Sequence, residues 1–177
     1  MMGAAANVLL YGYGNPGRGD DGLGPALATA VAAMALPGVE VDANYQLNVE
    51  DSAELGRYRA VVFADAAVDG PAPFAFSRID AAATGRLGWT SHSVTPVEVV
   101  ALARDMFGSG TAAYVLGIRG YAFGELDEGL SEKARDNLAE AVAFARKALA
   151  EQEFEQYAQE FGHPAAGPGA GGTTWKA

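Results

Sequence analysis

The chain contains no cysteine and, among its 177 residues, only two histidines, His92 and His163. The absence of cysteine excludes disulfide scaffolds, thiolate zinc sites, iron–sulfur clusters and cysteine nucleophiles. Basic residues are also few, since 12 Lys and Arg stand against 22 Asp and Glu, which gives a formal net charge of −10. Because phosphate neutralisation supplies most of the affinity for nucleic acids, we expect no nucleic-acid partner.

Long apolar runs are missing as well. No stretch reaches the roughly 18 apolar residues that a membrane-spanning helix needs, and the N-terminal residues lack the basic region of a secretory signal. These absences predict a cytoplasmic protein that has no membrane partner. The length fits one domain rather than two.

Short apolar runs alternate with amphipathic segments along the chain. This alternation predicts a three-layer α/β sandwich around a mostly parallel five-stranded sheet. The run 74–79 alternates apolar and polar residues, which indicates an edge strand, here expected to be antiparallel. The predicted strands are 7–13, 39–43, 60–66, 74–79 and 112–118, and the predicted helices are 22–35, 49–55, 96–107 and 131–149.

The end of the chain changes in character. After residue 149 the apolar positions shift to Phe154, Tyr157 and Phe161, so the last helix either continues with another face buried or stops there. The residues that follow are rich in glycine and proline and poor in apolar side chains. We therefore predict a domain over residues 1–161 and a disordered tail over residues 162–177.

Three chemistry-bearing residues follow predicted strands or precede a helix at one edge of the sheet. Ligands of open α/β sheets bind at the carboxyl ends of the strands. Asp21 follows the first strand, Asp65 ends the third, and His92 precedes the helix 96–107. Two carboxylates and an imidazole suit zinc, nickel, iron or manganese, and three protein ligands leave coordination positions open. The sequence thus predicts a divalent metal site.

Each of these residues also has a purely structural interpretation. Asp20 and Asp21 precede a helix whose free N–H groups a carboxylate can cap, and this interpretation fits Asp20 better. His92 by itself is more typical of a hydrogen-bonded loop residue, and its weight comes from the two aspartates expected beside it. Asp65 is harder to explain in this way, because a carboxylate at the end of a buried strand needs a partner that offsets its desolvation.

Two other kinds of site compete for the same residues. Gly12, Gly14 and Gly17 form a GxGxxG pattern after a strand, and Asp42 in the second strand could bind a ribose hydroxyl, as in dinucleotide-binding proteins. Residues 18–21 separate that pattern from the helix, and their two carboxylates would each repel a pyrophosphate by about 4 kcal/mol at 4 Å. A serine hydrolase using Ser91 or Ser93 with His92 and Asp65 lacks the GxSxG elbow.

The same segments resemble the hydrogenase maturation endopeptidases, which process nickel–iron hydrogenase large subunits. The resemblance extends from about residue 7 to residue 149. It rests on GYGNPGRGDDGLG at 12–24, FADA at 63–66, TSHS at 90–93, LGI at 116–118 and EGLS at 128–131.

The resemblance implies a metal-dependent endopeptidase that removes a C-terminal extension from the large-subunit precursor after nickel insertion. It places the catalytic and metal-binding roles on Asp21, Asp65 and His92, although some family members carry glutamate at the position of Asp21. The nickel can be supplied by the substrate, and zinc or cadmium can substitute. The precursor is the expected partner, and the protease itself is expected to be a monomer.

Two mechanisms remain open at this stage. A bound ion could assist hydrolysis directly, or the three residues could complete the coordination of nickel already held by the precursor, and the resemblance favours the second. A non-catalytic alternative is a nickel-sensing or chaperone-like module that binds the precursor without cutting it.

Overall fold

The computed structural model describes residues 7–81, 94–124 and 129–162. These residues form five strands, five helices and two short 3₁₀ turns. The strands are β1 (Val8–Tyr13), β2 (Val39–Asn44), β3 (Ala60–Ala67), β4 (Phe74–Arg78) and β5 (Ala112–Arg119). The helices are α1 (Leu23–Ala32), α2 (Asp51–Glu54), α3 (Pro96–Phe107), α4 (Glu132–Glu151) and α5 (Phe154–Phe161), with 3₁₀ turns at Gly19–Gly22 and Leu55–Arg57.

The strands form one sheet in the order β2-β1-β3-β5-β4. β2, β1, β3 and β5 are parallel, and β4 pairs antiparallel with β5 at one edge. This arrangement confirms the predicted α/β sandwich with a mostly parallel five-stranded sheet and one antiparallel edge strand.

Helices cover both faces of the sheet. Alternate residues of each strand face opposite layers, so Val62 and Ala64 of β3 pack with α1 and α4, whereas Val61 and Phe63 pack with α3 and the segment around α2. All eight residues of β3 are buried. The continuous apolar run that predicted this strand is therefore the signature of a strand covered on both sides.

Helix α1 lies unusually close to the sheet because of Gly24. A Cβ atom at this position would stand 2.4 Å from the carbonyl oxygens of both Tyr13 and Ala64. Real Cβ atoms do not approach so closely, so only glycine lets the start of α1 rest on the ends of β1 and β3. The loop between β1 and α1 is held against the carboxyl edge of the sheet as a result.

The four predicted helices all have counterparts in the structure, which adds a fifth, α5, and differs from the prediction at several helix ends. The predicted helix 22–35 is α1 together with flanking turns, and the predicted helix 49–55 is the single turn α2 followed by a 3₁₀ turn. The last predicted helix extends two residues beyond its predicted end, to Glu151, and ends there because Gln152 adopts a left-handed conformation with φ of 58°. A separate helix, α5, then buries Phe154 and Tyr157.

The predicted helix 96–107 is confirmed as α3, and its start is fixed by a capping box. The Thr95 hydroxyl accepts a hydrogen bond from the Glu98 N–H, and the Glu98 carboxylate accepts one from the Thr95 N–H. We expect Thr95→Ala to lower the free energy of unfolding by about 1 kcal/mol, because one N–H of the first turn loses its acceptor. Urea denaturation of the two proteins measures this, and an unchanged midpoint would contradict it.

The predicted tail lies almost wholly outside the described residues, and the division of the chain near residue 162 stays a prediction. Of the helices that the structure describes, none combines the length and the apolar character needed to cross a membrane.

Candidate functional site

The carboxyl ends of β1 and β3 border the point where the chain reverses its direction across the sheet. From β1 the chain crosses to β2 on one side, and it then returns to β3 on the other side of β1. Such switch points form the crevice in which open α/β sheets bind ligands. Asp65 lies near the end of β3, Tyr13 is the last residue of β1, and Asp21 lies in the 3₁₀ turn that follows β1.

Asp65 is a buried carboxylate whose side chain is held at two points. Asp65 is only 3% exposed, and its Oδ1 accepts a hydrogen bond from the Ala66 N–H at 2.7 Å. The Tyr13 hydroxyl donates a second hydrogen bond to the Asp65 carboxylate. The strand register explains this pair, since Gly12 lies opposite Ala64 and the next residues along the two strands are Tyr13 and Asp65.

Tyr13 therefore interacts with both predicted aspartates. Burial raises the pKa of its phenol well above the ordinary value, and the charge of Asp65, the hydrogen bond to Asp65 and the charge of Asp21 raise it further. A phenol that resists ionisation to this extent is a hydrogen-bond donor at every pH near neutrality. The Asp21 and Asp65 carboxylates thus both lie near one neutral hydroxyl.

Asp21 is positioned by the loop that wraps over it. The residue is 8% exposed, and its Oδ2 accepts a hydrogen bond from the Asn15 N–H at 3.1 Å. Gly14 adopts φ of 139°, and a Cβ atom there would stand 2.0 Å from the Asp21 carbonyl oxygen. The glycine-rich loop therefore holds the Asp21 carboxylate in place.

Asp20, the neighbour of Asp21, has a different role from the one predicted. It does not cap the helix that follows it, because neither α1 nor the preceding 3₁₀ turn carries a side-chain cap. Its fully buried carboxylate instead accepts hydrogen bonds from the N–H groups of Tyr121, Ala122 and Ser131 at 2.7–2.9 Å, and from the Ser131 hydroxyl at 2.8 Å. Asp20 is a structural residue that ties the loop to the start of α4.

The hydrogen bonds decide the ionisation of Asp20. Burial acts to raise the pKa of this carboxyl, but the N–H groups of Ala122, Ser131 and Tyr121 and the Ser131 hydroxyl together hold it below its ordinary value. Asp20 is therefore ionised at neutral pH, and all four donors are directed at the charged form.

His92, the third predicted ligand, lies outside the described residues, as do Ser91 and Ser93. Among the residues that the structure describes, no three His, Asp or Glu side chains are grouped to hold a metal ion. Asp21 and Asp65 fit part of such a site, because two buried carboxylates near each other are hard oxygen ligands for a divalent cation. A three-residue site with His92 stays a prediction.

The local geometry of the GxGxxG pattern differs from that of a dinucleotide-binding site. Its third glycine, Gly17, is separated from the first residue of α1, Leu23, by a turn and a 3₁₀ segment, so it does not open the helix. Gly12 and Gly14 face this chain's own α1 and Asp21. Asp42 is exposed, and its Oδ1 accepts a hydrogen bond from the adjacent Ala43 N–H.

A small pocket lies beside the loop that carries Asp21. It encloses about 210 Å³ between this loop, the start of α1 and the end of β2, and Tyr45 at its rim is 69% exposed. Small-molecule sites are usually larger, at about 300–1,000 Å³, so the space suits one side chain of a bound polypeptide. Its lining residues are Gly14, Pro16, Pro25, Ala43, Asn44 and Tyr45.

Comparisons with known proteins agree with this arrangement at the level of the fold. No family model matches the sequence, and no curated protein is significantly similar to it. Solved structures do match. The hydrogenase maturating endopeptidase HybD from E. coli superposes with a TM-score of 0.67 at 19% identity, over 83% of this chain and 94% of HybD. The chain has the fold of the hydrogenase maturation proteases.

Two further maturation proteases share this fold. The [NiFe] hydrogenase maturation protease HycI from Thermococcus kodakarensis KOD1 gives a TM-score of 0.65 at 19% identity, over 82% of this chain and 93% of HycI. The hydrogenase 2 maturation peptidase from Thaumarchaeota archaeon SCGC_AB-539-E09 gives 0.58 at 24% identity, over 81% and 97%. The resemblance to the maturation proteases that the sequence motifs indicate is thus confirmed at the level of the fold.

Sequence reasoning missed Tyr13 and the loop residue Asn15. Tyr13 lay within the pattern GYG and carried no signal of its own, since an aromatic residue at the end of a strand is common in any core. Once the third predicted strand is aligned with the first, however, the alternation of faces places Tyr13 and Asp65 on the same side of the sheet. That alignment was the signal that could have found the pair.

Proposed function

We propose that the protein is an endopeptidase that removes the C-terminal extension of a nickel–iron hydrogenase large-subunit precursor after nickel insertion. The observation that carries this proposal is the meeting of Asp21 and Asp65 at the switch point of a sheet with the maturation-protease fold. The solved proteins HybD and HycI described above are named as hydrogenase maturation enzymes, and that activity is transferred here as a proposal.

In the mechanism we propose, the chain recognises metal that arrives with its substrate. Asp21, Asp65 and His92 would complete the coordination of nickel carried by the precursor, and zinc or cadmium would substitute in purified preparations. A divalent ion held there would polarise the scissile carbonyl and lower the pKa of the attacking water. An Asp21 or Asp65 oxygen that the ion leaves unoccupied would accept the proton of that water as general base.

The surroundings of the two aspartates support binding of a polypeptide next to them. β2 is an edge strand that pairs only with β1 within the described sheet, so its outer side can hydrogen-bond to an extended chain. The pocket between Pro16, Pro25 and Tyr45 adjoins the Asp21 loop and would hold an apolar side chain of that segment.

The decisive experiment incubates the purified protein with nickel-loaded and nickel-free large-subunit precursors and measures their masses. We expect loss of a C-terminal peptide only from the loaded precursor. Asp21→Asn and Asp65→Asn should each lower the cleavage rate by about a thousand-fold, as loss of a key polar group at a reacting centre does.

A matched control is available on helix α3. Asp105→Asn makes the same change of charge at an exposed position near the end of this helix, and we expect it to cleave at the wild-type rate. Stable binding of the loaded precursor without any change in its mass would overturn the protease and favour the nickel-sensing module. Cleavage that both Asp21→Asn and Asp65→Asn leave unchanged would overturn the assigned site.

A further inference from the structure

Tyr13 contacts the site without belonging to the predicted ligand set. Its hydroxyl donates a hydrogen bond to Asp65, and the charges of Asp65 and Asp21 both act on it. A phenol is neutral at physiological pH and offers one O–H donor. Tyr13 therefore places a neutral donor near both carboxylates.

The strand and the apolar cluster around it restrict the position of the Tyr13 phenol. Tyr13 ends β1, where its backbone is in register with Asn44 of β2, and the next N–H, that of Gly14, donates to the Asn44 carbonyl at 3.1 Å. Its ring packs against the apolar cluster between the sheet and α3. Little freedom is left for the hydroxyl to follow Asp65 if that carboxylate rotates.

Two hydrogen bonds then fix the direction of the Asp65 carboxylate. The Ala66 N–H binds Oδ1, and the Tyr13 hydroxyl supplies the second contact. An ionised carboxylate has about four lone-pair positions, so two donors orient it while leaving positions for a further ligand. Groups that orient a metal ligand in this way commonly contribute 10- to 100-fold to metal affinity.

We propose that Tyr13 is a positioning residue that holds Asp65 in the orientation needed to bind a divalent cation. This inference rests on the proposed function, since it takes Asp65 as a ligand. It adds a residue that the motif-based ligand set does not contain, and it predicts a metal-binding defect when a single hydroxyl is removed from β1.

The chain offers a closely matched control in Tyr11. Tyr11 lies two residues earlier on the same strand and the same face, is 4% exposed, and donates its hydroxyl to Asp51 Oδ2 at 3.2 Å. Tyr11→Phe and Tyr13→Phe therefore each remove one buried phenolic hydroxyl that is bound to an aspartate. Only the second removes a contact with Asp65.

The test is calorimetric titration of cadmium, zinc and nickel chloride into the full chain and into both variants, with melting temperatures recorded for each. We expect Tyr13→Phe to weaken binding by about 10- to 100-fold and Tyr11→Phe to leave it within about two-fold. Cadmium NMR should show a shifted or broadened resonance for the bound ion in Tyr13→Phe alone.

The outcomes separate this inference from the proposed function. Equal affinities in the wild type and Tyr13→Phe would overturn the positioning role and leave the ligand assignment intact. An equal loss in the two Phe variants would also overturn it, because general loosening of β1 would then be the cause. Absence of saturable binding by the wild type to all three metals would overturn the positioning role, whereas the proposed endopeptidase activity is judged separately by the change in mass of the loaded precursor.

Discussion

Replacing Asp20 with alanine is expected to lower the free energy of unfolding by about 3–4 kcal/mol and the melting temperature by roughly 10 °C. The substitution leaves four buried donors without their acceptor, namely the N–H groups of Tyr121, Ala122 and Ser131 and the Ser131 hydroxyl. Each unsatisfied buried donor costs about 1–3 kcal/mol, and the four costs overlap because the donors share one carboxylate. Urea denaturation at neutral pH measures the effect.

Asp21 provides the internal comparison for Asp20. It is an adjacent, buried aspartate, and we expect Asp21→Ala to cost clearly less stability while it abolishes cleavage. The two substitutions should therefore have different effects, because Asp20 is needed for the fold and Asp21 for the proposed reaction. Equal losses of stability in the two variants would show that the roles are wrongly divided.

The same carboxylate makes a testable contribution to acid stability. Its pKa is lowered in the folded state, so the folded protein binds fewer protons than the unfolded chain as the pH falls below about 4. The stabilisation is complete above the unfolded pKa of about 3.9 and is lost as the pH falls through the folded pKa. Asp20→Asn should accordingly show a shallower fall of unfolding free energy over that range than the wild type.

Gly14→Ala is expected to abolish precursor cleavage and to cost about 3 kcal/mol of stability. The added Cβ would stand 2.0 Å from the Asp21 carbonyl oxygen, and the backbone at φ of 139° strains any other residue. The Asp21 segment must move to relieve the contact, which displaces the carboxylate. Cleavage assays and calorimetric metal titration measure the loss.

Gly70→Ala separates the effect of backbone strain from that of the steric contact made by the added Cβ. Gly70 also has a positive φ, of 93°, but an added Cβ there would have nothing within 4 Å. We expect it to cost about 1 kcal/mol and to leave cleavage unchanged. Wild-type cleavage by Gly14→Ala would mean that the position of the Asp21 segment does not matter for the reaction.

The features that could be predicted from the sequence were those that depend on neighbours along the chain. The apolar run of β3, the alternation in β4 and the Thr95-Pro96 start of α3 each contain their own signal. The break between α4 and α5 did not, because it occurs at Gln152, which is neither glycine nor proline. Beyond this residue α5 packs against β4, whereas α4 packs against β5, and this change of partner has no signal along the sequence.

The candidate site was predictable to the extent that topology determines it. Asp21 and Asp65 follow from the rule that strand ends converge at one edge. The role of Asp20 could not be predicted, because its partners lie 101–111 residues further along the chain. Tyr13 required the register between two strands, which composition and spacing leave undetermined.

The hydrogen bonds of Asp20 also have a consequence for when the protein becomes competent. During synthesis, the loop bearing Asp21 emerges long before Ser131 and α4, yet its neighbour Asp20 meets its hydrogen-bond donors only when those later residues dock. A nascent chain that ends before α4 would leave the Asp20 carboxylate without its donors. The loop that carries Asp21 is thus fixed late, and on the proposed function a chain that ends before α4 should not cleave the precursor.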